Sequence, residues 1–147
     1  VVVYKYVKAS AMRKRDLAGD IESKTIPVMN ALAQLYYFPN NVNKNHWRKE
    51  VWANFHRIAR IKPSNKLPSF DFILKNTLEC NKDQLVADKK YVISKESEFE
   101  PDYDKVDNDT AFRDLVTDYF EWIAEQFTQV VQISQDDVYS KLEELGL

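Results

Sequence analysis

The sequence predicts an all-α fold, a compact helical domain of about five to seven helices spanning residues 1–147 as a single unit. Three observations carry that prediction. Glycine occurs only twice, at Gly19 and Gly146, where average usage of about 7% would give about ten. Tight hairpins draw on glycine for positive φ, whereas helices need it only near their ends. Apolar residues recur every three or four positions through two long stretches, 47–61 and 112–130, which is the period of a core-facing helical stripe. Finally, apolar residues make up 44% and aromatics 13% of the 147 residues, enough to bury a core and to argue against a disordered chain.

Taken in order, Val1–Val7 (VVVYKYV) is β-branched and aromatic, and reads either as one short N-terminal strand or as the first turns of a helix. Ser10 to Ala18, carrying Arg13, Lys14 and Arg15, reads as a short helix that Gly19 stops. Thr25 or Ile26 then begins a strong helix with Pro27 in its first turn, where the missing N–H does no harm. From Ile26 to Phe38 its polar side chains are Asn30 and Gln34, the pattern of a helix buried on most sides. Pro39-Asn40-Asn41 ends it, and Asn43 or Asn45 caps the next helix, whose stripe is Trp47, Val51, Phe55, Ile58 and Ile61.

Lys62 to Pro68 reads as a loop, after which Ser69 caps a helix burying Phe70, Ile73, Leu74, Thr77 and Leu78. Gln84 to Ile93 is ambiguous between helix and a short strand. Residues 95–109 form an acidic loop or linker in which seven carboxylates face only Lys95 and Lys105. Asp109 caps a helix with Phe112, Leu115, Val116, Tyr119, Trp122 or Ile123, and Phe127 on one face. Ser134 to Asp137 resembles a capping box, and Gly146 stops a last short helix carrying Val138, Leu142 and Leu145.

Charge is split along the chain. Residues 1–95 hold 18 Lys+Arg against 8 Asp+Glu (+10), and residues 96–147 hold 3 against 15 (−12), which sum to the overall −2. Such polarity steers partners and subunits. It has three explanations: the acidic helices neutralise the basic half within the molecule, opposite patches meet between subunits in self-association, or one patch binds an outside partner. An overall pI near 5.7 disfavours a dedicated nucleic-acid binder, for which a strongly basic domain is expected. The lone Cys80 cannot form an internal disulfide, and no apolar stretch approaches the roughly 20 residues that span a bilayer. Val1–Val7 is too short for a signal core. A soluble, intracellular and cytoplasmic protein with no membrane association is the expectation.

Several chemistries are excluded or unsupported. Two isolated glycines cannot build the Walker loop, the dinucleotide fingerprint or the nucleophile elbow. His46 and His56, if on one helix, stand roughly 15 Å apart along the axis and about 80° around it, so they cannot share one small ion. An EF-hand starting at Asp102 would want Gly and Glu where Asp107 and Arg113 stand. No metal, cofactor or catalytic residue is therefore assigned, and the balance leans away from an enzyme. No family resemblance is evident.

The leading expectation is a small interaction or regulatory module whose basic helix face binds an acidic macromolecular partner. That face carries Lys49, His56, Arg57 and Arg60 with Trp52 at its edge, joined by Lys44 and Arg48 near the start. A solvated helix face is the plainer explanation of the same stripe. A second expectation is a ligand-binding protein or enzyme with a pocket beside Asn30 and Gln34, walled by His56 or Tyr37; two buried amides bridging to a neighbouring helix explain the same pair. A third is an acidic decoy or inhibitor presenting residues 96–109. That segment buries little by itself, so it is expected to lie over the basic surface with Phe99 or Tyr103 as its apolar anchor.

Overall fold

The computed structural model describes the backbone of residues 2–61, 67–128 and 133–147, and the side chains of 19–59, 72, 74–126 and 133–147. Seven helices make up the described chain, with no strand among the described residues: α1 (Val2–Tyr37), α2 (Lys44–Ile61), α3 (Leu67–Ala87), α4 (Lys89–Ser94), α5 (Tyr103–Val106), α6 (Asp109–Thr128) and α7 (Gln135–Glu144). The all-α prediction holds.

The expected N-terminal strand and the separate helix ending at Gly19 are both replaced by α1, one helix of 36 residues. An interior glycine costs only about 1 kcal/mol, too little to end a helix that has other reasons to continue. Pro27 likewise lies inside α1 rather than in a first turn. Interior proline costs about 3 kcal/mol, and the residues after it supply the compensation. Met29, Leu32 and Leu35 are fully buried, at about 1.5–3 kcal/mol each. Thr25 caps nothing. Its hydroxyl donates to the Glu22 carbonyl at 3.1 Å and accepts from Asn81 Nδ2 at 2.9 Å, tying α1 to α3 through a buried polar pair.

Helix α1 packs against α2, α3, α4, α5 and α6, and α7 packs on α2. Trp47, Val51, Phe55 and Ile58 of α2 are buried as the stripe requires. So are Phe112, Val116, Tyr119 and Ile123 of α6, while Leu115, Trp122 and Trp52 are partly buried. The side chains of Arg13, Lys14, Arg15, Arg60, Ile61, Phe70, Ile73 and Phe127 lie outside the described residues, as does most of the expected 62–68 loop. Tyr36, Tyr37 and Phe112 join α1 to α6, with ring centroids 5.2–5.5 Å apart, the spacing of edge-to-face and offset pairs.

Helix ends follow local chemistry, with two shifts from expectation. Helix α3 begins at Leu67, so Pro68 sits in the first turn, where its missing N–H is harmless, and Ser69 is not the cap. At α6 the cap is Asn108, whose Oδ1 accepts from the Ala111 N–H at 3.1 Å. Asp109 is thereby freed to pair with Lys89 at 2.6 Å. Gln84–Ile93 is helical on both sides of a turn at Asp88, with Val92 buried and Tyr91 exposed. Ser134 and Asp137 form the full capping box. Gly146 adopts φ 81°, while its N–H bonds Glu143 O and that of Leu147 bonds Leu142 O. That pairing is a Schellman end, and it buries Leu147.

Ser134→Ala removes one side of the capping box and should lower stability by about 1 kcal/mol in urea unfolding. Tyr119 is buried and its hydroxyl has no hydrogen-bond partner in the protein. Tyr119→Phe should therefore raise stability by about 1 kcal/mol. Burial pushes the Tyr119 phenol upward; burial, then the Asp109 charge and Tyr36, push Tyr37 up to about 12. Unfolded tyrosine ionises near pH 10, so these phenols contribute stability that is whole below that pH. The contribution drains away as pH rises through about 12. Unfolding followed between neutral and alkaline pH should show that loss, and Tyr119→Phe should blunt it.

Candidate functional site

The buried stripe of α2 fixes which of its polar residues reach outward. Lys49, His56 and Arg57 are exposed, and Trp52 lies half-buried at their edge. The Trp52 ring stacks on Phe55 at 6.1 Å and meets the His56 ring at 5.4 Å, which holds His56 on the outer face. Arg60 belongs to the last turn of α2, and its side chain lies outside the described residues.

Arg48 does not join this face. Its side chain is 17% exposed, it lies 3.8 Å from Glu143, and its Nε donates to the Leu147 carbonyl at 3.0 Å. It clamps the end of α7 and Leu147 onto α2. Asn54 is a structural residue that the sequence pattern hid. Buried in α2, it donates to the Glu50 carbonyl at 2.8 Å and to Glu50 Oε2 at 3.3 Å, and accepts from Arg57 Nη1 at 3.3 Å. Asn54 therefore steadies Arg57 with a neutral partner, and among the described residues no carboxylate pairs with that guanidinium. His46 reaches Glu50 at 4.0 Å on the flank.

The acidic segment does not lie on this face. It folds onto the end of α1: the Asp102 N–H donates to the Tyr37 carbonyl at 2.7 Å, and Glu96 Oε1 accepts from Gln34 Nε2 at 3.0 Å. Val106, not an aromatic, is the side chain packed on the core; Phe99 and Tyr103 remain 37% and 61% exposed. Backbone bonding at the α1 terminus anchors it where orphan carbonyls await donors, so the docking expected over α2 does not occur.

Asn30 and Gln34 share a helix face but not a site. Glu96 takes Gln34, whereas Asn30 lines a cleft of about 160 Å3 between α1, α3 and α4, over Met29, Leu85 and Val92. Tyr37 is buried in the core and His56 points away on α2, so neither walls that cleft. Among the described residues no three His, Cys, Asp or Glu side chains converge on a metal-sized site, and no helix is long and apolar enough to cross a membrane. Tyr36 joins Tyr37 and Tyr119 in being pushed upward, by burial and then by the Asp102 charge.

No protein-family model, no curated protein and no solved structure matches this chain.

Arg48 and Lys49 are neighbours with opposite duties, which a pair of variants separates. Arg48→Ala should lower stability by about 1–2 kcal/mol, because the Leu147 carbonyl loses a charge-assisted donor. Lys49→Ala should change it by less than about 0.5 kcal/mol, as expected of a solvated surface residue. Urea unfolding of both variants checks the contrast.

Proposed function

We propose that this protein is a non-enzymatic interaction module that holds an acidic protein partner on the exposed side of α2. One observation carries the reading: among the described residues, no carboxylate pairs with Lys49 or Arg57, although the chain holds 23 of them. The acidic segment, the chain's densest run of carboxylates, is bonded to α1 instead. Trp52 adds a half-buried aromatic beside the cations, a combination that favours recognition of a partner over mere solvation. The acidic C-terminal half, at −12 over residues 96–147, repels a long polyanion running past α2. A compact acidic segment of a protein avoids that repulsion, and nucleic acid is the disfavoured partner. Catalysis has less support, since the displaced ionisations are phenols driven further from neutral pH.

A ligand-binding reading rests on the cleft beside Asn30. Its volume of about 160 Å3 falls below the roughly 300–1,000 Å3 of most small-molecule sites, which ranks it second.

The test is fluorescence anisotropy with a labelled glutamate-rich peptide at low salt. The protein should bind it, and affinity should fall as salt screens the charges. Lys49→Ala with Arg57→Ala should weaken binding roughly tenfold, at about 0.2–1 kcal/mol per exposed pair. Equal binding by the double variant, or binding of a single-stranded oligonucleotide alone, overturns the proposal.

A further inference from the structure

The cleft between α1, α3 and α4 has an apolar floor, one polar wall and two apolar lips. Met29, Leu85 and Val92 make the floor, all three buried in the core. Its volume of about 160 Å3 is small for a drug-sized ligand, but an apolar cavity of about 150 Å3 holds one benzene ring. A single flat ring is the body that fits it.

Ile26 on α1 and Tyr91 on α4 form the lips, 43% and 65% exposed. The Lys95 ammonium lies 4.8 Å from the centroid of the Tyr91 ring and steadies it. Large apolar side chains left this exposed beside a hollow give a bound ring further surface to cover.

Asn30 is the informative residue. One turn on, Gln34 is taken by Glu96, and across the cleft the Asn81 Nδ2 is spent on Thr25 Oγ1. The Asn30 amide has no hydrogen-bond partner among the described residues. It is half-buried, and both its amide atoms stay open to solvent, unlike the sealed Nδ2 of Asn41. Such a side chain offers a donor and an acceptor side by side. Its complement is another amide edge, which meets it with two hydrogen bonds. Asp88, also on the cleft, enters no ion pair among the described residues.

We propose that this cleft binds a small uncharged ligand made of one flat ring with an amide edge, as in an aromatic carboxamide or a pyrimidine base. The ring lies over Met29, Leu85 and Val92 between the two lips, and its edge pairs with the Asn30 amide. A plain hydrocarbon ring would strip water from Asn30 and return no hydrogen bond. A ring carboxylate would bring no donor and would face the Asp88 charge. The site is that of the second-ranked reading, which gains a ligand class here, and it shares no residue with the exposed side of α2.

The full chain, isotopically labelled, is titrated with benzamide, toluene and benzoate at millimolar concentration. Benzamide should shift the Asn30 side-chain amide together with the methyl groups of Met29, Leu85 and Val92. Toluene and benzoate should each bind about tenfold more weakly, the loss expected for a pair of neutral hydrogen bonds. Asn30→Leu keeps the bulk of the side chain and removes the amide. It should weaken benzamide about tenfold and leave toluene no weaker. Nicotinamide and uracil are titrated alongside, and the tighter of the two assigns the edge to a carboxamide or to a pyrimidine. Toluene binding as tightly as every amide probe would overturn the proposal while leaving a ligand cleft in place. Shifts that bypass Asn30, or an unchanged preference for benzamide in Asn30→Leu, would overturn it too. Silence from every probe would overturn it together with the second-ranked reading. The comparison of probes on the unmutated chain decides the matter even where Asn30→Leu does not fold.

Discussion

The stretch from Val28 to Phe38, the last ten residues of α1 and the one after them, is the element around which the other helices are arranged. Nine of its eleven residues are buried, and the remaining two are Asn30 and Gln34. No single neighbour can cover an apolar helix on so many sides, so α2 and α3 must flank it, and α4, α5 and α6 complete the enclosure. The same burial outweighs the interior proline, because several large side chains at about 1.5–3 kcal/mol each exceed a cost near 3 kcal/mol. It also decides where α1 stops. Beyond Tyr37 the chain turns at Pro39, and the free carbonyls of the helix end receive the acidic segment.

Charge plays a subordinate part in holding the molecule together. The basic and acidic halves meet at a few edge contacts, Arg48 with Glu143, Lys89 with Asp109, and Arg113 with Asp83. Exposed pairs of this kind contribute about 0–1 kcal/mol each, far less than the burial of one aromatic side chain. Packing therefore dictates the arrangement, and the charges follow. The consequence is two poles of charge that form no ion pair among the described residues, Lys49 and Arg57 on α2 and the carboxylates of residues 98–107.

The two poles also differ in build. On α2 the cations project from a convex helix whose other side is locked in the core, with Asn54 holding Arg57 in place. At the acidic pole, residues 99–102 form one wall of a concave cleft whose other wall is 38–41. A convex charged face suits a partner that wraps or lies along it, whereas a concave one suits an inserted side chain.

Periodicity and end chemistry were enough, by themselves, to determine the helical class, the buried stripes of α2 and α6, the capping box at Ser134 and the glycine stop at Gly146. Each of these depends on residues within a turn or two of one another, so the sequence states them directly. Only the tertiary structure decided that α1 runs through Gly19 and Pro27, since the compensating burial comes from remote helices. The same holds for single side chains. Nothing near Gln34 in the chain announces Glu96, and nothing near Arg48 announces the carbonyl of Leu147, 99 residues away. Local patterns record what a residue is suited to, but the partner of a polar group is chosen by whichever distant segment packing brings within hydrogen-bond reach.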